Sequence, residues 1–169
     1  MPKLKSSHVE VYVFRRRRSR VEFLTLRRAP GRKLGGVWQP ITGKRRRWET
    51  AVRAAMRELE EETGLRPKRW WCLETLTTYF DPDTDTFGLL PLFAAEASAS
   101  DRVRLSREHT AFAFVPAREA ARRFLWDSQR RGLEAVRSEL LRRGPLARAL
   151  EITYQSPRRA RSRARRSIR

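Results

Sequence analysis

Four glutamates, Glu58, Glu60, Glu61 and Glu62, fall within five residues in a chain whose formal net charge is +20. On a helix, Glu58 and Glu62 stand one turn apart and Glu61 lies beside them. Like charges at that spacing repel, and acidic groups at a helix C-terminus oppose the macrodipole, so helix stability gives no reason for them. A hard divalent cation held by oxygen ligands turns the repulsion into affinity. The cluster is therefore a candidate metal site, with a solvated helix end as the bland alternative.

The flanking residues say what must position it. Ala51, Val52, Ala55, Met56 and Leu59 recur at helical spacing and define a buried face. The helix starts near Thr50 and stops at Thr63–Gly64, and Pro67 prevents its resumption. Before it, His8–Phe14 and Val21–Leu26 are β-rich and read as a hairpin whose connection is the arginine run Arg15–Arg20, after a short polar lead over Met1–Ser7. Ala29–Gly36, with one proline and three glycines, is a loop, and Trp38–Gly43 is a short extended piece. After the helix, Arg69–Phe80 and Thr86–Ala97 form a second hairpin around the turn Asp81–Asp85, with Pro91 calling for a bulge or an edge position. Ser98–Arg107 is a polar connection, Thr110–Val115 a last strand, and Pro116 opens a short helix to about Leu125. Asp127–Arg143 is amphipathic through Leu133, Val136, Leu140 and Leu141, and Gly144–Pro145 closes it.

Composition narrows the class. A chain of 169 residues is most simply one domain, taken as residues 1–150. Charged residues make up 34% and hydrophobic ones 40%, which suits a globular body with a charged end. From Pro157 onward the chain has no acidic residue and almost nothing to bury, so 157–169 is expected to be a disordered Arg-rich tail. The one cysteine, Cys72, sits in an apolar run and reads as a buried thiol in a reducing compartment. No signal peptide and no membrane-length apolar run is visible, so the expected location is cytoplasmic, away from membranes. The basic excess suits nucleic acid or nucleotides, and the tail in particular would attract nucleic acid without regard to sequence. Scattered arginines are otherwise the solvent faces of amphipathic elements.

Gly43–Leu65 then matches the Nudix box position by position: Gly43, Glu49, Arg57, Glu58, Leu59, Glu61, Glu62, Gly64 and Leu65, with Glu60 and Thr63 at free positions. On that resemblance the chain is identified as a member of the Nudix hydrolase family. It implies an α/β fold, an α/β/α sandwich with a mixed β-sheet, and a pyrophosphohydrolase that cleaves a nucleoside diphosphate linked to another group. It implies Mg²⁺, with Mn²⁺ as a substitute, held by Glu58, Glu61, Glu62 and the Gly43 carbonyl. Arg57 and Glu49 would pair to hold the loop against the helix, Leu59 and Leu65 would anchor the core, and Glu60 would face solvent. The loop Lys44–Trp48 departs from the family, which commonly has an acidic residue and a glycine there.

Beyond the box, Leu26–Arg28, Trp38–Gly43, Ala54–Glu58 and Glu108–Phe114 resemble dihydroneopterin triphosphate pyrophosphatases. That resemblance implies Glu108 as a further metal ligand, against its alternative as an exposed loop carboxylate, and casts His109 as structural. It also implies Lys5, Arg27 and Thr42 as substrate contacts. Trp38 would stack on a flat heterocycle or pack the loop. The expected substrate is a (deoxy)nucleoside triphosphate or dihydroneopterin triphosphate. The alternatives are a dinucleoside polyphosphate or capped RNA, or a non-catalytic module that only senses a nucleotide.

Overall fold

Alternation along one strand decides the centre of the molecule. In the computed structural model, which describes residues 2–142 and 144–153, strand β2 follows the short strand β1 (Lys3–Lys5) and runs from His8 to Arg17. Its Val9, Val11 and Val13 pack into one core and its Tyr12 and Phe14 into another. A strand buried on both faces needs a layer on each side. The first layer is helix α1 (Ala51–Thr63), which sends Ala54, Ala55 and Leu59 against the valines. The second is built from α2 (Ala117–Arg123), α3 (Asp127–Ala135) and the π-helical turn Val136–Leu141 that continues α3. Ala120, Phe124, Leu133, Val136 and Leu140 supply its core face.

Between the layers lies a mixed eight-stranded sheet. β2 pairs antiparallel with β3 (Arg20–Arg28) and with β5 (Ile41–Lys44) on one side, and parallel with β7 (Thr86–Ala97) on the other. β3 carries β4 (Trp38–Gln39) and β8 (His109–Pro116), while β7 carries β6 (Arg69–Asp81) along its outer edge. The α/β/α sandwich expected from the sequence is what the chain forms. Among the described residues no helix is long and apolar enough to cross a membrane.

Three local expectations need correction. The polar lead is not all loop: Lys3–Lys5 adds to β7 in parallel, from Lys3 opposite Thr86 to Lys5 opposite Gly88. The arginine run is mostly strand, because Arg15 is paired with Glu22 at 2.7 Å and Arg16 with Glu96 at 3.0 Å. Those partners on neighbouring strands neutralise the charge that made the run look like a solvated turn, and only Arg18–Ser19 turns, with Arg18 at φ 55°. The long amphipathic helix loosens after Ala135 into π geometry, and Pro145–Ala149 forms a separate short helix, α4. Pro91 sits beside a register shift in β6 between Cys72 and Leu76, as its missing N–H requires. The expected Arg-rich tail lies outside the described residues.

One buried polar pair crosses the second core. Glu10, 4% exposed, shares a hydrogen bond with the Tyr12 hydroxyl, which also donates to the Gln129 carbonyl at 3.0 Å. Burial pushes the Glu10 carboxyl up to about 7 and the Tyr12 phenol well above its usual value. A protonated Glu10 lets each group donate once, Glu10 to Tyr12 and Tyr12 to Gln129. Ionisation takes that arrangement away. Tyr12→Phe removes the central group and leaves Glu10 buried without its partner, so we expect a loss of about 1–3 kcal/mol in urea unfolding at neutral pH. An unchanged midpoint would show that the network contributes nothing to stability.

Candidate active site

Helix α1 is held so that its last turn cannot rotate. The Thr50 side chain accepts from the Arg53 N–H at its start, and Gly64 closes its end with φ 68°, donating to the Glu60 carbonyl at 2.8 Å. With Leu59 fully buried, Glu62 must turn inward, Glu58 lies along the rim and Glu61 points out. Thr63 Oγ1 donates back to Leu59, and the carbonyls of Glu62 and Thr63 accept from Ser106 and Arg104, tying the turn to the segment before β8.

Arg57 is the hub. It donates from Nε and Nη2 to the two oxygens of Glu49 at 2.8 and 2.9 Å, and from Nη1 to Glu58 at 2.7 Å and Glu61 at 2.9 Å. Nη2 also reaches the Lys44 carbonyl at 3.0 Å, so one guanidinium spans the helix and the loop that follows Gly43. Its hydrogen bonds to Glu49 hold that carboxyl down to about 2. Glu49 also accepts from the Arg46 N–H at 2.9 Å. Gly43 lets the helix come close: a Cβ there would stand 1.9 Å from Glu58 Cγ.

Glu62 is the electrostatic anomaly. Burial, reinforced by the charges of Glu58 and Glu108 and opposed by Arg28, pushes its carboxyl up to about 9. Its Oε2 has no hydrogen-bond partner, and neither has either ring nitrogen of His109, whose Nε2 lies 3.8 Å away. Burial and Arg28 both lower the His109 pKa, so the ring is neutral near physiological pH. Glu58 is also raised by burial, against the pull of Arg57. Glu60, by contrast, turns to the exposed Arg66.

Glu108 is half-exposed and paired with Arg32 at 3.0 Å, yet close enough to raise both Glu58 and Glu62. Its neighbour His109 was read as structural from the sequence; here it faces Glu62 across an unbonded gap. Arg28, whose Nε is also buried without a partner, entered the sequence reading only as part of the Leu26–Arg28 resemblance and with no role of its own.

The residues fit a hard divalent ion. All the side-chain donors are carboxylate oxygens, one buried Glu62 oxygen is unpartnered, and burial followed by the charges of Glu58, Glu108 and Glu61 raises the Glu62 pKa, which a bound cation would reverse. Among the described residues no three such side chains stand together as a preformed cage. The reason is visible: Arg57 draws Glu58 and Glu61 to itself, and Arg32 draws Glu108.

The residues expected to touch substrate are placed less tightly. Arg27 and Trp38 are cross-strand neighbours, Arg27 donating to the Gly36 carbonyl and Trp38 lying 4.6 Å from the Arg123 guanidinium. Thr42 stands opposite Glu10 and accepts from Gln39. Lys5 lies on exposed β1 and, with Lys44, lowers the pKa of His8. Trp48 in the unusual loop takes φ 65°, the left-handed conformation that favours glycine, and is 89% exposed.

A sandwich that presents an arginine-braced, glutamate-rich helix end beside a glycine loop defines a class of phosphoanhydride hydrolases. Residues 6–136 match the NUDIX domain family model, and the chain belongs to the Nudix hydrolase family. Among solved structures, it is similar to a C. elegans Ap4A hydrolase in a binary complex, with 19% identity over 79% of this chain and 96% of that one, at a TM-score of 0.67. The E. coli dihydroneopterin triphosphate pyrophosphohydrolase is 20% identical over 79% and 96%, at 0.63. The Nudix domain of Shewanella oneidensis NrtR, complexed with ADP-ribose, is 16% identical over 82% and 88%, at 0.66. Likeness at these identities concerns the fold alone. A stretch of 58 residues is 47% identical to an octanoyltransferase of Myxococcus xanthus, covering 34% of this chain but only 16% of that protein.

Two outcomes test the site. Because burial raises the Glu62 pKa from 4.5 to about 9 on folding, the folded state penalises the ionised carboxyl, and stability present below 4.5 is lost as pH rises across that interval. We expect the metal-free melting temperature to fall over it, Mg²⁺ to raise it more at about pH 9 than at about pH 5, and Glu62→Gln to remove most of both effects. The slope left between 4.5 and about 7 should belong to Glu10. Separately, Gly43→Ala should drive Glu58 off the rim and weaken Mg²⁺ activation about 10–100-fold in a metal titration, with folding retained by circular dichroism.

Proposed function

We propose that the chain hydrolyses a pyrophosphate bond of a (deoxy)nucleoside triphosphate, or of a pterin triphosphate such as dihydroneopterin triphosphate, with Mg²⁺ held by Glu58, Glu61, Glu62, Glu108 and the Gly43 carbonyl. Mn²⁺ would substitute. The observation that carries the proposal is the unpartnered, buried Glu62 oxygen beside Glu58, in a helix turn that Arg57 fixes against the Gly43 loop.

A bound divalent ion supplies charge neutralisation at phosphate oxygens and lowers the pKa of an attacking water. The chain's own residues do the positioning. Arg57 and Glu49 keep the loop and helix in one geometry, which holds Glu58 and Glu61 with a single orientation. Glu62, enclosed and without a hydrogen-bond partner at Oε2, is the carboxylate whose charge state responds most to a nearby cation, and one glutamate of the set accepts the proton of the water. Lys5 and Arg27 offer cationic donors to the phosphate chain, Thr42 offers a hydroxyl, and Trp38 offers an aromatic face to a heterocycle.

The strongly basic surface favours one second candidate, a longer polyanion such as a dinucleoside polyphosphate or a capped RNA. A panel of nucleoside triphosphates, dihydroneopterin triphosphate, Ap4A and capped RNA, assayed with Mg²⁺ for released phosphate or pyrophosphate, separates these. We expect turnover of at least one triphosphate and a loss of about 100-fold or more in Glu62→Gln. Nucleotide binding with no turnover would make the chain a sensing module, and an unimpaired variant would remove Glu62 from the chemistry.

A further inference from the structure

We infer that the loop Arg45–Trp48 is a binding site for single-stranded polynucleotide, with Trp48 as a base-stacking platform and Arg47 and Lys44 as its phosphate contacts. The inference does not rest on the hydrolase assignment, because it concerns binding without turnover. Trp48 is 89% exposed, so its indole contributes almost nothing to the core. It holds φ 65°, which a side chain of that size adopts only against steric cost. Fold stability therefore gives no reason for a tryptophan here, and glycine would serve the turn better.

The loop is nevertheless rigid, as a platform must be. Arg45 donates from Nε and Nη2 to the Glu49 carbonyl at 3.2 and 2.9 Å and from Nη1 to the Ser6 carbonyl at 3.0 Å. The Arg45 N–H donates to Ser7 at 2.8 Å, and the Glu49 N–H closes the turn onto Arg46 at 3.1 Å. Arg46 is anchored on Glu61 at 2.9 Å, which sets the loop directly beside the carboxylate cluster. Arg45 and Arg46 are thus structural.

Arg47 is different. Its guanidinium sits 5.1 Å from the Trp48 ring centroid and forms no ion pair among the described residues, and the same holds for the exposed Lys44. An open groove of about 470 Å³ runs along the loop between Ser6, Ser7, Arg45, Arg47, Trp48 and Thr50. Burial lowers the pKa of the neighbouring His8 first, and the charges of Lys44 and Lys5 lower it further. Glu49, the acid in the groove, is neutralised by Arg57.

An exposed ring with an unpaired guanidinium beside it, and a second unpaired cation at the start of the loop, is the arrangement that holds unstacked bases by their faces and their backbone by charge. A duplex hides its base faces and fits the cations only. A protein partner would need further aromatic or aliphatic side chains around the ring, and besides Trp48 the groove is lined by Ser6, Ser7, Thr50, Glu49 and three arginines.

The test is anisotropy of a labelled oligouridylate of about ten nucleotides, titrated with the full chain in low salt without divalent ions. Trp48→Gly, which relieves the positive φ, should melt no lower than wild type and yet bind about tenfold more weakly, while Trp48→Phe keeps most of the affinity. Arg47→Ala should lower the slope of log affinity against log salt by about one. Unchanged affinity in Trp48→Gly overturns the inference and puts the strand elsewhere on the basic surface. An equal loss for double-stranded RNA overturns stacking, as does failure of the wild type to bind the oligonucleotide at all.

Discussion

Carboxylates concentrated at one helix end must be kept apart from one another and close to the sheet, and a single guanidinium meets both demands. Arg57 reaches Glu49, Glu58, Glu61 and the Lys44 carbonyl together, which only a planar group with several fixed donors can do. A lysine would be one point charge in the same place. The glycine at position 43 is the other half of the constraint, since a Cβ would occupy the space of the Glu58 side chain. The helix is consequently built around charges that its own dipole disfavours, and its stability must come from elsewhere: the Thr50 cap, the Gly64 cap and the burial of Ala54, Ala55 and Leu59.

Tension remains at Glu62. Its carboxyl is enclosed, unbonded at one oxygen and faced by a neutral histidine that is likewise unbonded. A buried polar atom without a partner costs stability, so a fold that only needed to be stable would replace it. The same packing that leaves Glu62 unbonded would present a cation with a carboxyl already deprived of water. The pairings of Glu58 and Glu61 with Arg57, and of Glu108 with Arg32, are the compensating arrangement among the protein's own charges.

How much of this was legible in the sequence depends on whether the deciding contact is local. The α1 helix was, because its apolar spacing, Thr50 and Gly64 lie within one turn of what they control. The box residues were legible as a pattern, and the loop, helix and cluster around Arg57 fall where that pattern puts them. Strand Lys3–Lys5 was not, since its only reason is β7, some eighty residues on. Arg15–Arg17 read as a turn because Glu22 and Glu96, which make a strand of them, sit on neighbouring strands. Arg28 and the Glu62–His109 gap depend on how β3, β8 and α1 meet, which no spacing rule reports. The roles of Lys5, Arg27, Trp38 and Thr42 rest on resemblance, because what a side chain offers a ligand is not set by local spacing.

Charge distribution adds a constraint that pairs of contacts do not contain. Residues 70–101 hold Glu74, Asp81, Asp83, Asp85, Glu96 and Asp101 and not one lysine or arginine. The rest of the chain therefore carries more positive charge than the whole-chain value of +20. Many of its arginines are committed to acids, as in Arg15–Glu22, Arg32–Glu108, Arg57–Glu49 and Arg69–Glu151. Those pairs cancel at short range, and the uncommitted cations set the field at longer range. The acids of the β6–β7 turn lie beside the cations of β1, with the Lys3 N–H donating to the Asp85 carbonyl, while the loop after Gly43 keeps Lys44 and Arg47 outside any ion pair among the described residues. At the carboxylate cluster, Arg57 and Arg46 already offset Glu61. An anionic ligand approaching the cluster would thus meet a field set by residues outside the Gly43–Leu65 motif as much as by those within it.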